Sequence, residues 1–252
     1  MQVTQTTASH NPVIRRLGAE AAVADSRPMT VAGTIQKTAL LLGLVVVLAG
    51  ATWWAIGTAR FPVELQSPVM LGSILAGFGL GILVAFRPAT ASWAGPLYAV
   101  CQGLALGLIS YLFNARYAGL PVQAVGLTAG TAAAMLIAYR TRLVRVGERF
   151  KAIVVGLTGG VAVFYLIALG LRLIGGISIP FLTQGGLLGI GFSVFVVALA
   201  AVNLLLDFSS IEEGAQAGIS RTYEWAFATG VTITMVWLYL EILRLLSKLR
   251  RN

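Results

Sequence analysis

Hydrophobic and polar positions along this chain fall into long blocks, not into the short alternation of a soluble fold. The seventh block, residues 225–249, is apolar but carries Glu241, Arg244 and Lys248. The first six contain no charged residue and cover residues 38–59, 65–86, 88–115, 117–139, 152–171 and 173–206. Each block reaches or exceeds the ~20 residues that an α-helix needs to cross ~30 Å of hydrocarbon. The pattern predicts an all-α integral membrane protein with seven transmembrane helices.

The predicted organisation is a tail followed by one membrane domain. Residues 1–36 mix polar residues, alanine and a few charges without apolar periodicity, and we interpret them as a flexible N-terminal cytoplasmic tail. Residues 37–252 form the predicted seven-helix transmembrane domain. The block 173–206 is too long for one crossing, and the turn-forming residues of 177–185 shorten it. We therefore expect helices at residues 37–58, 68–86, 94–114, 121–139, 152–174, 186–207 and 224–247.

Composition and charge support the membrane prediction. Hydrophobic residues make up 58% of the chain and charged residues 11%, whereas about a quarter of a soluble domain is charged. The net charge of +9 would suit nucleic acid, but most of the basic residues flank the apolar blocks, where they set orientation. We therefore expect the lipid bilayer as partner, and no nucleic acid.

Basic residues in the loops favour a cytoplasmic N-terminus. In that orientation the inner segments carry 11 Lys and Arg residues, and the outer loops carry 3. Four more basic residues would also lie outside, in or after the last helix: Arg244, Lys248, Arg250 and Arg251. Two alternatives stay open, because this cluster opposes the rule. Either the last helix crosses the membrane, or it re-enters and both chain ends stay inside.

Residues suited to catalysis or to metal binding are scarce. Cys101, the one cysteine, lies in an apolar block as an inert thiol would, and the one histidine, His10, lies in the tail. The chain contains no Ser/His/Asp or Cys/His set and no phosphate-binding glycine loop. We therefore expect neither an enzyme nor a cofactor. Glycines four apart predict close helix packing in five spans, at 77/81, 103/107, 126/130, 156/160 and 185/189.

Three ionisable residues are candidates for function: Asp207 at the end of the sixth span, Glu241 inside the seventh and Arg87 closing the second. Ionisable side chains at membrane depth cost ~2.5–3.5 kcal/mol on insertion scales and need a reason to be there. In one interpretation Asp207 and Arg87 only mark helix ends, and Glu241 pairs with Arg244. In the other, the two acids share a poorly hydrated site whose protonation responds to pH, Arg87 latches one of them, and their oxygens suit Ca²⁺.

Several segments of the chain carry a family resemblance. The most specific are LLLDFSSIE at 204–212, YEW at 223–225 and VWLYLEILRLL at 236–246, and weaker matches are MTVAGTIQKT at 29–38, PLYA at 96–99 and GISIPF at 176–181. With these segments the chain resembles the Bax inhibitor-1 (transmembrane Bax inhibitor motif) family, specifically its bacterial YccA-like branch. The resemblance covers roughly residues 29–250.

The resemblance implies six helices surrounding a central C-terminal helix, and a pH-sensitive calcium leak channel of the bacterial plasma (inner) membrane. Asp207 and Glu241 would sense pH and contact Ca²⁺, and Arg87 would latch one of them. Glu241 stands where relatives commonly carry Asp, and Gln102 stands where many would carry Glu. The same branch implies an alternative role as a membrane-embedded modulator of a membrane-anchored AAA protease, which would grip the tail.

The spacing of the two acids in the sequence limits how they could form one site. Asp207 and Glu241 are 34 positions apart in the sequence. If the connecting hairpin turns near Gly218, straight parallel helices would leave the two acids offset by about 18 Å. The acids are therefore expected to meet only if the helices tilt, or break near Gly214 or Gly218.

Overall fold

The structure is a computed structural model that describes residues 27–176, residue 179 and residues 186–251. Seven long α-helices follow one another in this part of the chain, and short 3-10 turns precede the third and the seventh, at Pro88–Thr90 and Arg221–Tyr223. The helices are α1 (Val31–Gly57), α2 (Val63–Phe86), α3 (Ala91–Arg116), α4 (Leu120–Arg140), α5 (Glu148–Gly175), α6 (Leu187–Gln216) and α7 (Glu224–Leu249). All seven are long and apolar enough to cross a membrane, which confirms the predicted fold class.

Helix α1 begins earlier than predicted. Thr30 has an extended backbone, and its side-chain oxygen accepts a hydrogen bond from the backbone N–H of Gly33 at 2.9 Å. A threonine in this position satisfies one of the free N–H groups at a helix start, so the helix begins at Val31 and not at residue 37. Residues 31–36 of the predicted tail are therefore helical, and residues 1–26 lie outside the described residues.

Helix α6 ends later than predicted. It continues for nine residues beyond the expected end at Asp207 and stops at Gln216, so Asp207 lies inside the helix. Gly218 follows with φ +66°, in the left-handed region that glycine adopts without a steric penalty. The connection between α6 and α7 thus turns at Gly218, the position assumed in the estimate of the offset between the two acids. The predicted turn at 177–185 falls outside the described residues, apart from residue 179.

The described chain divides into two compact units. Unit 1 contains the residues up to Tyr111 together with Asp207–Ile233, and unit 2 contains Leu112–Leu206 and the residues from Thr234 onward. Helices α3, α6 and α7 each contribute residues to both units, and each unit has its own packing.

In unit 1, α1, α3 and the first part of α7 run in the same direction. Contacts advance along α1 from Leu41 to Thr52 as they advance along α3 from Gly95 to Gly107. Along α7, Glu224 lies beside Gly33 of α1, and Thr229 lies beside Gly95, which also contacts Leu41 further along α1. The start of α7 therefore lies at the same end of the unit as the start of α1.

In unit 1, neighbouring helices pack closely against glycines. A methyl group on Gly103 would lie 2.6 Å from Cβ of Leu48, and one on Gly107 would lie 2.7 Å from the carbonyl oxygen of Ala49. A methyl group on Gly77 would likewise lie 2.6 Å from the Gln102 amide nitrogen. The predicted packing role is confirmed at these positions.

The glycine prediction was wrong for α4 and α5. A methyl group would meet no atom within 4 Å at Gly126, Gly130, Gly156 or Gly160. These glycines face open space because their helices pack through other residues. Gly185 lies outside the described residues.

Unit 2 packs α5, α6 and the second half of α7 around an aliphatic and aromatic core. The buried centre comprises Val154, Val161, Val196 and Leu199, with Tyr165, Phe192 and Trp237 packed against it. The Asn203 amide donates hydrogen bonds at 2.8 Å both to the hydroxyl of Thr158 on α5 and to the Leu199 carbonyl. In an apolar surrounding such bonds add to the packing between helices.

Helix α7 is continuous, and it is the most buried of the seven. Its 26 residues measure about 39 Å at ~1.5 Å per residue, enough to cross ~30 Å of hydrocarbon. In its most apolar window 61% of residues are buried, against 11–44% in the other six, as a central helix requires. An unbroken helix of this length does not support the re-entrant alternative.

The C-terminal basic residues contact the protein itself. In unit 2, Arg251 donates to the hydroxyl of Tyr117 at 2.9 Å and Arg250 to the carbonyl of Ala118 at 3.5 Å. The Arg251 hydrogen bond lowers the pKa of Tyr117, which lies between α3 and α4. The end of α7 is therefore beside the α3–α4 turn.

Candidate functional site

Glu241 lies in a buried polar cluster in unit 2. Its exposed fraction is 2%, and one nitrogen of Arg244, Nη1, lies 2.9 Å from Oε1 and 3.0 Å from Oε2. The hydroxyl of Tyr165 on α5 donates to Oε1 at 3.1 Å and accepts from the same Arg244 nitrogen at 2.7 Å. Glu241 therefore pairs with Arg244, as one of the two interpretations of the sequence proposed. Tyr165 is a third member that the sequence did not indicate, because it is 76 residues away in the chain.

Lys248 lies buried one turn beyond Arg244, with an exposed fraction of 2%. Its ammonium donates at 2.9 Å both to the Gly189 carbonyl oxygen and to the Ser193 hydroxyl, on the first turns of α6. Two cations and one acid therefore occupy the last three turns of α7, held by oxygens of α5 and α6. The acceptors of the buried Lys248 ammonium are thus supplied by the chain itself.

Glu224 forms a second buried cluster, in unit 1 at the start of α7. The side chain is fully buried and accepts hydrogen bonds from the backbone N–H of Thr30 at 2.9 Å and from its hydroxyl at 3.1 Å. Lys37 forms an ion pair with the same carboxylate, and Arg221 approaches it at 3.8 Å. Sequence reasoning missed this cluster, although both segments that meet here belong to the resemblance, 223–225 as one of its most specific matches and 29–38 as a weaker one.

A short strap continues this contact on the N-terminal side. Backbone hydrogen bonds join Met29 to Ile219 at 2.7 Å and Arg221 to Arg27 at 3.0 Å, and an antiparallel bridge pairs Pro28 with Ser220. We call residues 27–30 the N-terminal strap. The strap holds the connection between α6 and α7 directly against the start of α1.

The other two predicted site residues have different surroundings. Asp207 is half-buried in unit 1, inside α6, and its Oδ2 atom is fully buried. Arg87 caps the C-terminal end of α2 as predicted; its side chain is exposed and forms no ion pair with the residues that the structure describes. The structure therefore brings Glu241 together with Arg244, and it assigns Asp207 and Glu241 to different units.

Further polar side chains lie along α7. Thr229 and Thr232 are fully buried, and their hydroxyls donate to the carbonyls of Trp225 and Ala228 at 2.8 Å. Within the described ranges no group of three or more His, Cys, Asp or Glu side chains could hold a metal ion. A cation at Glu241 would thus need neutral oxygens or water for the rest of its shell.

The chain has seven helices that are long and apolar enough to cross a membrane, and the most buried of them, α7, carries buried ionisable groups. These features define a multi-pass membrane protein. Comparison with protein-family models gives a match over residues 10–251 to the family described as Bax inhibitor 1 like. The chain belongs to this family, as the resemblance indicated. Neither the curated proteins nor the solved structures gave a match.

Proposed function

We propose that the protein is a pH-sensitive calcium leak channel of the bacterial inner membrane, with the N-terminus in the cytoplasm and with the properties of the YccA-like branch. Asp207 and Glu241 are its pH-sensing acids and contact Ca²⁺, and Arg87 serves as a latch. One observation carries the proposal: Glu224, Glu241 and Lys248, all on α7, are at most 2% exposed. Ionisable side chains at membrane depth are costly and mark ion pathways in membrane proteins.

The composition of the site favours a leak over tight binding. A calcium site takes six to eight oxygen ligands, which several carboxylates and carbonyl groups supply together. Here Glu241 is accompanied by the neutral Tyr165 hydroxyl and by two cations, Arg244 and Lys248. One acid beside two cations binds Ca²⁺ weakly, and weak binding at Glu241 allows the ion to pass on.

Reconstituted liposomes test the proposal. Purified protein is incorporated at known density, and Ca²⁺ entry is followed with a trapped fluorescent indicator at acidic and at neutral pH. We expect entry faster than into empty vesicles, with a rate that changes between the two pH values because carboxylates titrate. Entry at the empty-vesicle rate at both pH values contradicts the proposal.

A second candidate function is modulation of a membrane-anchored AAA protease. The N-terminal strap favours it, because the chain leads from the tail directly to the contacts with Ile219 and Glu224 at the start of α7. Deleting residues 1–26 would remove the segment that a protease could grip and leave the strap in place. We expect loss of the effect on the protease with unchanged Ca²⁺ entry; an unchanged effect on the protease argues against this function.

A further inference from the structure

Both carboxyl oxygens of Glu241 are already occupied by a cation of the chain. Nη1 of Arg244 bridges Oε1 and Oε2 at 2.9 and 3.0 Å. The Glu241 side chain is 2% exposed, whereas that of Arg244 is 39% exposed. The acid is thus closed off by an arginine that itself reaches the surface of the described protein.

A divalent cation and Arg244 need the same two oxygen atoms. Calcium is coordinated by oxygens at about 2.3–2.6 Å, and a carboxylate is its strongest protein ligand. Two positive groups on one carboxylate repel each other strongly where water is scarce. Binding of Ca²⁺ at Glu241 therefore requires that Arg244 leave.

Arg244 is held by Tyr165 but is not enclosed. Its guanidinium lies over the Tyr165 ring, with its carbon 5.1 Å from the ring centre, and donates to the Tyr165 hydroxyl, while 39% of the side chain is exposed. Arginine side chains of this kind turn towards the membrane surface along their flexible stems. Lys248, one turn further on, donates to Gly189 and Ser193, whereas Arg244 donates directly to both carboxyl oxygens of Glu241.

We propose that Arg244 is the internal competitor that controls access of a divalent cation to Glu241, and that Tyr165 is the positioning residue that seats it. The competitor comes from the same helix as the acid, three residues further on, whereas the resemblance placed a latch on α2. The effect on flux rests on the proposed function, but the effect on cation binding can be measured without it.

Equilibrium binding of ⁴⁵Ca²⁺ to the purified full-length protein tests the competition. Arg244→Gln is expected to bind about tenfold more tightly than wild type, because a charge that competes for the carboxylate is gone. The gain should vanish in the double variant Arg244→Gln/Glu241→Gln. The matched control is Lys151→Gln, which removes the cation of the exposed Glu148–Lys151 pair at the same spacing. Affinity of Arg244→Gln equal to that of wild type overturns the inference.

Tyr165→Phe keeps the inference testable if Arg244→Gln does not fold. It removes the hydroxyl that bonds both Glu241 and Arg244 and keeps the ring. We expect affinity for ⁴⁵Ca²⁺ to rise about two- to threefold, because Arg244 is held less firmly; unchanged affinity overturns the inference. Tighter binding with liposome entry still at the empty-vesicle rate would refute the proposed function and leave the competition standing. Faster Ca²⁺ entry without tighter binding would refute the competition and leave the proposed function standing.

Discussion

Gly33 on α1 lies directly against the carboxylate of Glu224 on α7, so closely that a methyl group on Gly33 would overlap both carboxyl oxygens. The same carboxylate is bound by Thr30 and Lys37. The start of α1 and the start of α7 are therefore joined through one buried acid, and a glycine makes their approach possible.

Gly33→Ala should destabilise the protein. The added methyl group must displace the Glu224 carboxylate, and overpacking of this kind costs roughly 1–3 kcal/mol. Gly43→Ala on the same helix is the matched control, since a methyl group there meets nothing within 4 Å. Thermal unfolding in detergent, followed by circular dichroism, measures both. Equal unfolding temperatures for the two variants would contradict the contact.

Lys37→Met should be more damaging than an ordinary surface substitution. It removes the nearer of the two cations that pair with the fully buried Glu224 carboxylate and leaves Arg221 at 3.8 Å, and loss of a partner costs up to about 3–5 kcal/mol in buried pairs. Lys151→Met serves as control, because its partner Glu148 is 83% exposed and such pairs contribute about 0–1 kcal/mol. The same unfolding assay compares them, and a loss no larger than that of Lys151→Met argues against the buried pair.

Gly103→Val should lower the stability of the protein more than Gly126→Val, because Gly103 is closely packed and Gly126 is not. Gly103 lies against Leu48 and Val45 of α1, so a larger side chain forces α1 and α3 apart, at a cost of roughly 1–3 kcal/mol. Nothing lies within 4 Å of a methyl group on Gly126, and that variant should stay within about 0.5 kcal/mol of wild type. Unfolding in detergent decides, and equal losses would show that the α1–α3 contact is not close.

Removing the Arg251 side-chain charge should raise the pKa of Tyr117. The hydrogen bond from Arg251 and its positive charge stabilise the tyrosinate form, so Arg251→Gln shifts titration to higher pH. The ultraviolet absorbance of tyrosinate measures this, with the Tyr117→Phe variant subtracted to isolate the one residue. An unchanged pKa would mean that the end of α7 does not contact the α3–α4 turn.

The end of α7 should lie on the opposite side of the membrane from the α4–α5 connection, and a labelling reagent added to one side tests this. Cysteines placed at Thr58, Leu143 or Leu249 in a Cys101→Ser background can be labelled with a membrane-impermeant maleimide, because all three positions are exposed. Thr58→Cys and Leu249→Cys should react from one side and Leu143→Cys from the other. Labelling of Leu249→Cys together with Leu143→Cys would restore the re-entrant alternative.

Most of the fold could be predicted from the sequence, because the hydrocarbon layer requires long uncharged helices and leaves few alternatives. The ends of the helices were less predictable, since they depend on individual groups. Thr30 extends α1 by capping it, and the residues after Asp207 extend α6 although several are polar. The predicted spans followed the edges of the apolar blocks and could not include these turns.

The candidate site was less predictable than the fold. The pair Glu241–Arg244 follows from helical spacing, but Tyr165 and Ser193 join the cluster through tertiary packing that no local pattern reveals. Glu224 was missed for a similar reason: a glutamate at a helix start looks like an ordinary favourable end charge until Lys37 and Thr30 are found around it.

The most direct test of the central claim is the initial rate of Ca²⁺ entry into liposomes containing Glu241→Gln, compared at equal protein density with wild type and with Glu148→Gln. Glu148 is an exposed acid at the start of α5 and controls for the loss of one negative charge. If Glu241 governs the leak, Glu241→Gln changes both the rate and its dependence on pH, and Glu148→Gln matches wild type. Identical rates and pH dependence in all three proteins would contradict the role of Glu241.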